Sequence, residues 1–369
     1  MFQNFLKNKD IEIAKKAVEK NPTNIIKLSI LGQLYAENNF YKEAIATLEK
    51  VLKLEENYLP ALELLGKIYI KTKQYLKAYR TLLELYNASE HNFKVKTMLF
   101  SLKDADCDDE AKIIILNGLL EIEPNESTKE TLAKLYLKTG QFIKSATTYE
   151  ELIDNEQKPE YLRELSNIYI KLKKYSSASI SLEKLMQTED FNTQDAKTLA
   201  EVYTNEKRFQ EAKGIWELLI DTEPHNTEFF KSKIAQILMQ ENNPDEVIEV
   251  TKNVIEVNEY SQDAKFLQAD ALLNKKEYAK AIEFLREFYC DPIDKQTEQK
   301  IEEKIINISI LYSQELRAEK KYVEAIDALM PALRYNENQK EIYIELARIS
   351  TEIRDYSSAK EYMKIAEEL

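Results

Sequence analysis

The sequence predicts an all-α chain, an α-solenoid in which antiparallel helix pairs are piled one on another. Three observations carry that expectation. Leu, Lys, Glu, Ala, Ile and Tyr dominate, and only five Gly and eight Pro occur in 369 residues, a composition that favours helix. The stretch "LGQLYAENNFYKEAIATLEKVL" from Leu31 returns thirty-four residues later as "LGKIYIKTKQYLKAYRTLLELY" from Leu65. Within each copy the apolar residues fall three and four apart, which keeps them on one face of a helix.

The elements follow in order. Residues 1–24 read as a partial N-terminal repeat or cap, and residues 25–292 as an array of about eight repeats. In the first two full copies Gly32/Tyr35 and Gly66/Tyr69 are followed by Ala44 and Ala78, each twelve residues after its Gly. Leu48 and Leu82 come next, then Val51 and Leu85. A small residue at the Gly site lets two antiparallel helices approach closely, and the Ala is its counterpart on the second helix. "ENNFY" or "KTKQY" makes the turn between them. Later copies carry Ala133/Tyr136 with Ser145, Ser166/Tyr169 with Ala178, and Ala200/Tyr203 with Ala212. Ala235/Leu238 with Val247 and Ala269/Leu272 with Ala281 complete this part. Residues 293–369 read as a long helix followed by two C-terminal repeats, marked by Ser313/Leu316 with Ala325 and Ala347/Ser350 with Ala359. Pro124 and Pro224 close second helices, because Pro cannot continue a helix.

The period and the small-x-x-Tyr signature resemble the tetratricopeptide repeat, a 34-residue helix–turn–helix unit, over nearly the whole chain. The resemblance implies about ten repeats coiled into a right-handed superhelix. The first helices of the repeats then line a concave groove, the default site for a protein segment. It also implies that each pair buries its second apolar face against the next.

Three places depart from the pattern. In the third repeat, near 93–125, Phe100 stands where a small residue belongs, which shortens the first helix and changes the local curvature. After Pro292, residues 294–319 read as one helix of about 26 residues, roughly 39 Å at 1.5 Å per residue. Its excess either projects as a docking edge or splices two sub-arrays. Pro331 lies inside "VEAIDALMPALRY" and is expected to kink that helix, at a cost of ~3 kcal/mol in an unconstrained interior. In the last repeat the stacking positions hold Lys360 and Glu367, a polar face at which stacking is expected to stop. The chain is therefore expected to end its array there, without polymerising through its C-terminus.

Composition and motifs narrow the function. Charged residues make up 32% and hydrophobic residues 44%, so the composition is neither disordered nor membranous. "MFQNFLKNKDIEIAKK" has no apolar core long enough for a secretion signal, and no run approaches ~20 apolar residues. A cytoplasmic location without membrane insertion is expected. The net charge of −13 argues against nucleic acid as a partner. It is uneven, since residues 1–100 carry sixteen Lys/Arg against eleven Asp/Glu. The 22 Tyr fall largely at packing positions, and a monomer is the expected state.

No phosphate loop, dinucleotide fingerprint, nucleophile elbow or HExxH occurs. Cys107 and Cys290 form no CxxC pair and suggest neither a disulfide framework nor a zinc site. His91 and His225 sit in turns between repeats. "DADCDDE" alternates Asp104, Asp106 and Asp108 as a calcium loop does. Asp109, however, stands where such a loop needs Gly, and Ile115 where it needs the bidentate Glu. The expectation is a protein without catalysis, cofactor or bound metal.

On the groove face the 3–4 spacing selects Lys134 and Lys138 in the fourth repeat and Arg163, Asn167 and Lys171 in the fifth. It gives Lys197 in the sixth and Lys233 in the seventh. This stripe of cations on an acidic molecule points to an acidic or C-terminal peptide, with Glu130, Glu160 and Glu201 offsetting part of the field. Tetratricopeptide co-chaperones clamp a terminal carboxylate with Lys and Asn on one first helix, Asn on the next, and Lys and Arg on the third. Here Arg163 replaces the first Lys and Asn167 matches. Thr198 replaces the second Asn, Phe229 the next Lys, and Lys233 the final Arg. These replacements change the geometry of the clamp, because Arg and Lys are not interchangeable. The expected function is a scaffold that binds protein or peptide segments, and the alternative is a co-chaperone-like binder of an acidic C-terminal peptide. An enzyme hidden in degenerate repeats is the opposing class.

Overall fold

A computed structural model describes residues 2–290, 294–335 and 339–369. Among them the chain forms only helices and turns. Two compact units divide it, residues 1–190 and 191–369. The first unit opens with α1 (Phe2–Lys20) and continues with five helix pairs. These are α2 (Ile25–Glu37) with α3 (Tyr41–Leu54), α4 (Leu59–Lys71) with α5 (Tyr75–Ala88), and α6 (Phe93–Phe100) with α7 (Asp109–Ile122). Then come α8 (Glu126–Lys138) with α9 (Phe142–Asn155) and α10 (Pro159–Lys171) with α11 (Tyr175–Met186).

The second unit holds α12 (Thr193–Asn205) with α13 (Phe209–Thr222), α14 (Thr227–Gln240) with α15 (Pro244–Val257), and α16 (Gln262–Asn274) with α17 (Tyr278–Tyr289). After them α18 (Lys295–Ala318) pairs with the two short helices α19 (Tyr322–Asp327) and α20 (Met330–Tyr335). The last pair is α21 (Lys340–Glu352) with α22 (Tyr356–Glu368). The expected boundary at 292/293 lies outside the described residues, as does Pro292.

Apart from α6 and α7, each pair closes on its small residues. Ala133, Ala200, Ala235, Ala269 and Ser313 are fully buried, as are Ala44, Ala78, Ser145, Ala178, Ala212 and Ala281 on the second helices. The approach is direct: the Ser145 hydroxyl donates to the Ala133 carbonyl at 2.8 Å. Where the first site is Gly the close neighbour is a leucine. A Cβ on Gly66 would lie 2.5 Å from Leu82, and one on Gly32 2.8 Å from Leu48.

Apart from that between α6 and α7, the turn inside each pair is as regular. Seven residues after the small site the backbone takes a left-handed φ, from 56° at Lys173 to 74° at Gly140. The next residue donates back to the Tyr-site carbonyl, as Gln74 does to Tyr69 and Lys174 to Tyr169, both at 2.8 Å. Lys73 and Lys173 donate to Ile70 and Ile170. This is the Schellman termination, which satisfies carbonyls that a helix end leaves open.

The departures take the form their residues dictate. α6 has eight residues where its counterparts have thirteen, and Asp108 caps α7 through the Ala111 N–H at 2.8 Å. Beside the shortened helix, α5 reaches α7 directly. The Tyr79 hydroxyl occupies the space over Gly118, where a Cβ would stand 1.5 Å away. Pro331 does more than kink its helix. With no N–H to give, it leaves a break at residues 328–329 and begins a new helix, α20.

The long helix α18 spans 24 residues. Its early turns are docked, with Thr297 and Ile301 buried and Thr297 bonded to Gln262 at 2.9 Å. Ile301, Ile305 and Ile308 pack with Leu272, Leu285 and Phe288 of α16 and α17. Ile306 and Leu316 pack with Leu329, Ile342 and Leu346 of the following elements. The helix therefore joins two apolar clusters. Lys360 and Glu367 on α22 are exposed.

Candidate functional site

The faces of the first helices carry the residues whose identity packing does not fix. Consecutive first helices are linked across these faces by ion pairs. In the first unit Glu63 on α4 meets Lys94 on α6 at 2.9 Å, and Glu126 on α8 meets Lys158 at the start of α10. Around the latter pair, the Tyr161 hydroxyl donates to Glu126 at 3.0 Å and Glu130 at 3.2 Å. The Lys158 ammonium also lies 5.2 Å from the Tyr161 ring centroid. Hydrogen bonds from Lys158 and Tyr161 hold Glu126 below the usual carboxylate range. Burial, then the same two carboxylates, pushes Tyr161 up to about 12. In the second unit Glu201 on α12 meets Lys233 on α14 at 3.0 Å. Asp270 on α16 meets Lys304 on α18, and Arg317 on α18 meets the buried Glu345 of α21 at 2.6 Å.

Of the cations singled out in the sequence, Lys233 alone makes such a link between consecutive first helices; the others are engaged differently. Lys134 pairs with Glu130 at 2.5 Å and Lys138 with Asp109 at 2.9 Å. Lys197 pairs with Glu223 at 2.9 Å. That bond, with others from Asn226 and Thr193, lowers Glu223 to about 2. Lys233, bound to Glu201, also lies 5.4 Å from the centre of the Phe229 ring. On α10, Arg163, Asn167 and Lys171 follow at intervals of four and share one face. Arg163 donates to the Asp190 carbonyl at 3.1 Å, Asn167 is exposed, and Lys171 lies 5.6 Å from the Phe142 ring centroid. Lys134, Lys138, Arg163, Asn167 and Lys171 belong to the first unit, and Lys197 and Lys233 to the second.

The second unit holds a cleft of about 250 Å³ between α12 and α14. Glu201, Thr204 and Asn205 line one side, Lys233, Gln236, Ile237 and Gln240 the other, and Trp216 of α13 its base. Trp216 is buried and stacks on Phe230 at 5.7 Å. Phe229 meets it edge-on at 6.1 Å and stays half exposed. Gln236, Gln240 and Asn205 escaped the sequence reading because the search followed charge. The signal was present: Phe229, Lys233, Gln236 and Gln240 are spaced four, three and four, one face of one helix.

Among the described residues no helix is long and apolar enough to cross a membrane, and no group of three His, Cys, Asp or Glu side chains is placed to hold a metal ion.

Two family profiles match. Residues 3–85 match the one described as "Anaphase-promoting complex, cyclosome, subunit 3", and residues 233–296 the one described as "Tetratricopeptide repeat". No curated protein sequence matches the chain. Among solved structures, similarity extends to a chain of Naa15/Naa10 bound to HypK, with TM-score 0.43 and 15% identity over 99% of this chain. The chain spans 61% of that structure's chain. Yeast Tom70 is similar with TM-score 0.33 and 14% identity, covering 100% of this chain and 89% of that one. A tetratricopeptide repeat protein from Parabacteroides merdae gives TM-score 0.33 and 16% identity over 66% of this chain and 96% of its own. With helix pairs closed on small residues at intervals mostly of 33 to 35 residues, and a repeat profile matching residues 233–296, the chain is built of tetratricopeptide-type repeats.

Proposed function

We propose that the chain is a non-enzymatic scaffold that holds segments of partner proteins against the faces of its first helices. One observation carries this reading. Outside the third repeat, the first-helix small sites are all buried and hold only Gly, Ala or Ser, while the exposed first-helix positions change from pair to pair. They are Lys134 on α8, Asn167 on α10, and Gln236 and Gln240 on α14. A constant frame presenting varied side chains is suited to recognition. The test places a photo-crosslinking residue at Asn167 or Gln236, and at Ile180 on the second helix α11 as control. Partners captured from first-helix positions and not from Ile180 are expected. Capture confined to Ile180 overturns the reading.

A second reading, an acidic segment as ligand, is favoured by α10 alone. There Arg163, Asn167 and Lys171 form a row in which Asn167 and Lys171 are exposed and Arg163 is half-buried, and Lys171 makes no ion pair among the described residues. Changing Arg163, Lys171 and Lys233 to Ala is expected to reduce capture of acidic partners. Unchanged capture removes the cations from the functional account.

A further inference from the structure

We propose that the face of α14 bearing Phe229, Lys233, Gln236 and Gln240 binds an extended, uncharged protein segment through the segment's main chain. The inference rests on the scaffold reading and names what one of its faces recognises.

The two glutamines set the chemistry. Both side chains are exposed, and neither has a hydrogen-bond partner among the described residues. A carboxamide carries an acceptor and two donors, the complement of a backbone N–H and C=O. Residues four apart on a helix are about 6 Å apart along its axis, and an extended chain returns to the same side every two residues, about 6.6 Å. A segment laid along α14 can therefore offer Gln236 and Gln240 successive same-side amides without changing conformation. Across the cleft, the Asn205 amide nitrogen is occupied by the Glu201 carbonyl at 2.8 Å, which leaves its oxygen to accept.

The charges nearby are already matched, which decides the ligand class. Lys233 is held by Glu201 at 3.0 Å and Lys197 by Glu223 at 2.9 Å. An acidic side chain entering would approach the Glu201 carboxylate, and a basic one the Lys233 ammonium. The second unit as a whole carries 24 Lys/Arg against 36 Asp/Glu, which disfavours an acidic ligand further. Phe229, 50% exposed and braced on Trp216, supplies an apolar shelf. It precedes Gln240 by eleven positions, about 16.5 Å of helix, which about five extended residues span. The segment thus places an apolar side chain on Phe229 and presents main-chain amides to the glutamines.

The test selects binders from a random dodecapeptide library on the full chain. A recovered peptide is then resynthesised with N-methyl groups on two alternate amides. Selected peptides are expected to carry an aromatic or aliphatic residue, with no enrichment in charge. N-methylation and the double change Gln236→Leu with Gln240→Leu are each expected to weaken binding about tenfold, and the two losses are expected not to add. Raising salt from about 50 to about 300 mM is expected to change the affinity less than twofold. Both glutamines are exposed, so an unchanged melting curve and Trp216 emission check the fold of the variant. Enrichment in Asp or Glu, binding indifferent to both changes, or failure to recover any peptide overturns the inference. If crosslinked partner capture persists while peptide selection fails, only this inference falls. Loss of first-helix crosslinks from wild type takes the scaffold reading with it.

Discussion

The residue that turns each helix pair is seldom the one its backbone prefers. At the left-handed position only Gly140 is a glycine, while Lys73, Lys173, Lys207, Lys276, Lys320 and Arg354 hold the same conformation with a Cβ. An L-residue there costs roughly 1 kcal/mol. Replacing Lys73 or Lys173 by Gly is expected to stabilise the chain by about 0.5–1 kcal/mol, and Gly140→Ala to destabilise it by a similar amount. A Cβ at Gly140 meets nothing within 4 Å, so that change tests backbone strain alone. Gly118 is the opposite case. Its added Cβ would collide with the Tyr79 hydroxyl, and Gly118→Ala is expected to cost at least the 1–3 kcal/mol typical of overpacking. Urea denaturation of the four variants checks both statements. The small sites at 32, 66 and 133 were legible in the sequence from spacing alone, because burial leaves them no freedom. Gly118 was not, since its neighbour Tyr79 lies 39 positions away and enters only because α6 is short.

Between elements, the sequence showed which helices pair but not how their charged faces are wired. The cations on α8, α12 and α14 were legible as a stripe. Their carboxylate partners were less so, because the links Lys138–Asp109, Lys197–Glu223 and Lys233–Glu201 cross from one element to another. The Lys197–Glu223 link has a consequence in acid. Glu223 falls from the ordinary 4.5 to about 2 in the fold, chiefly through the hydrogen bond from Lys197. A depressed carboxylate contributes stability that is fully present above the unfolded value and is lost as pH falls through the folded one. Glu223→Gln is therefore expected to lower the melting temperature at pH 7, by a difference that shrinks steadily below pH 4.5 and is largely gone by pH 2. Melting curves taken from pH 7 down to pH 2 should show wild type and variant converging within that window. Of the two uses weighed for the long helix, docking edge or splice, α18 shows the splice in its buried Thr297 and Ile301. Periodicity gave its length. Only the partners of Ile305 and Ile306, on opposite clusters, gave its role.

For the molecule as a whole, the repeat was legible over most of its length because every pair but α6 and α7 solves the same packing problem. What the net charge of −13 concealed was its placement. The first unit carries 28 Lys/Arg against 29 Asp/Glu, and the second 24 against 36, so nearly all the imbalance lies in residues 191–369. Salt acts on such a unit in two ways. It weakens exposed ion pairs, each worth about 0–1 kcal/mol, and it screens the repulsion among like charges. Even if every cation of the second unit were paired, twelve carboxylates would lack a counter-charge, so relief of repulsion should win there. In the nearly neutral first unit it has little to relieve. The sole tryptophan, Trp216, is buried in the second unit, and its fluorescence reports that unit alone, whereas circular dichroism reports both. Between about 0.05 and 0.3 M NaCl the Debye length falls from about 14 to about 6 Å. A gain on the order of 1 kcal/mol would move the fluorescence midpoint up by about 2–4 °C for a unit of this size. The remaining circular dichroism transition should hold still or fall. A fluorescence midpoint that drops with salt would mean that the ion pairs of residues 191–369 outweigh their repulsion, and that the acidic half of the chain is held together by its charges.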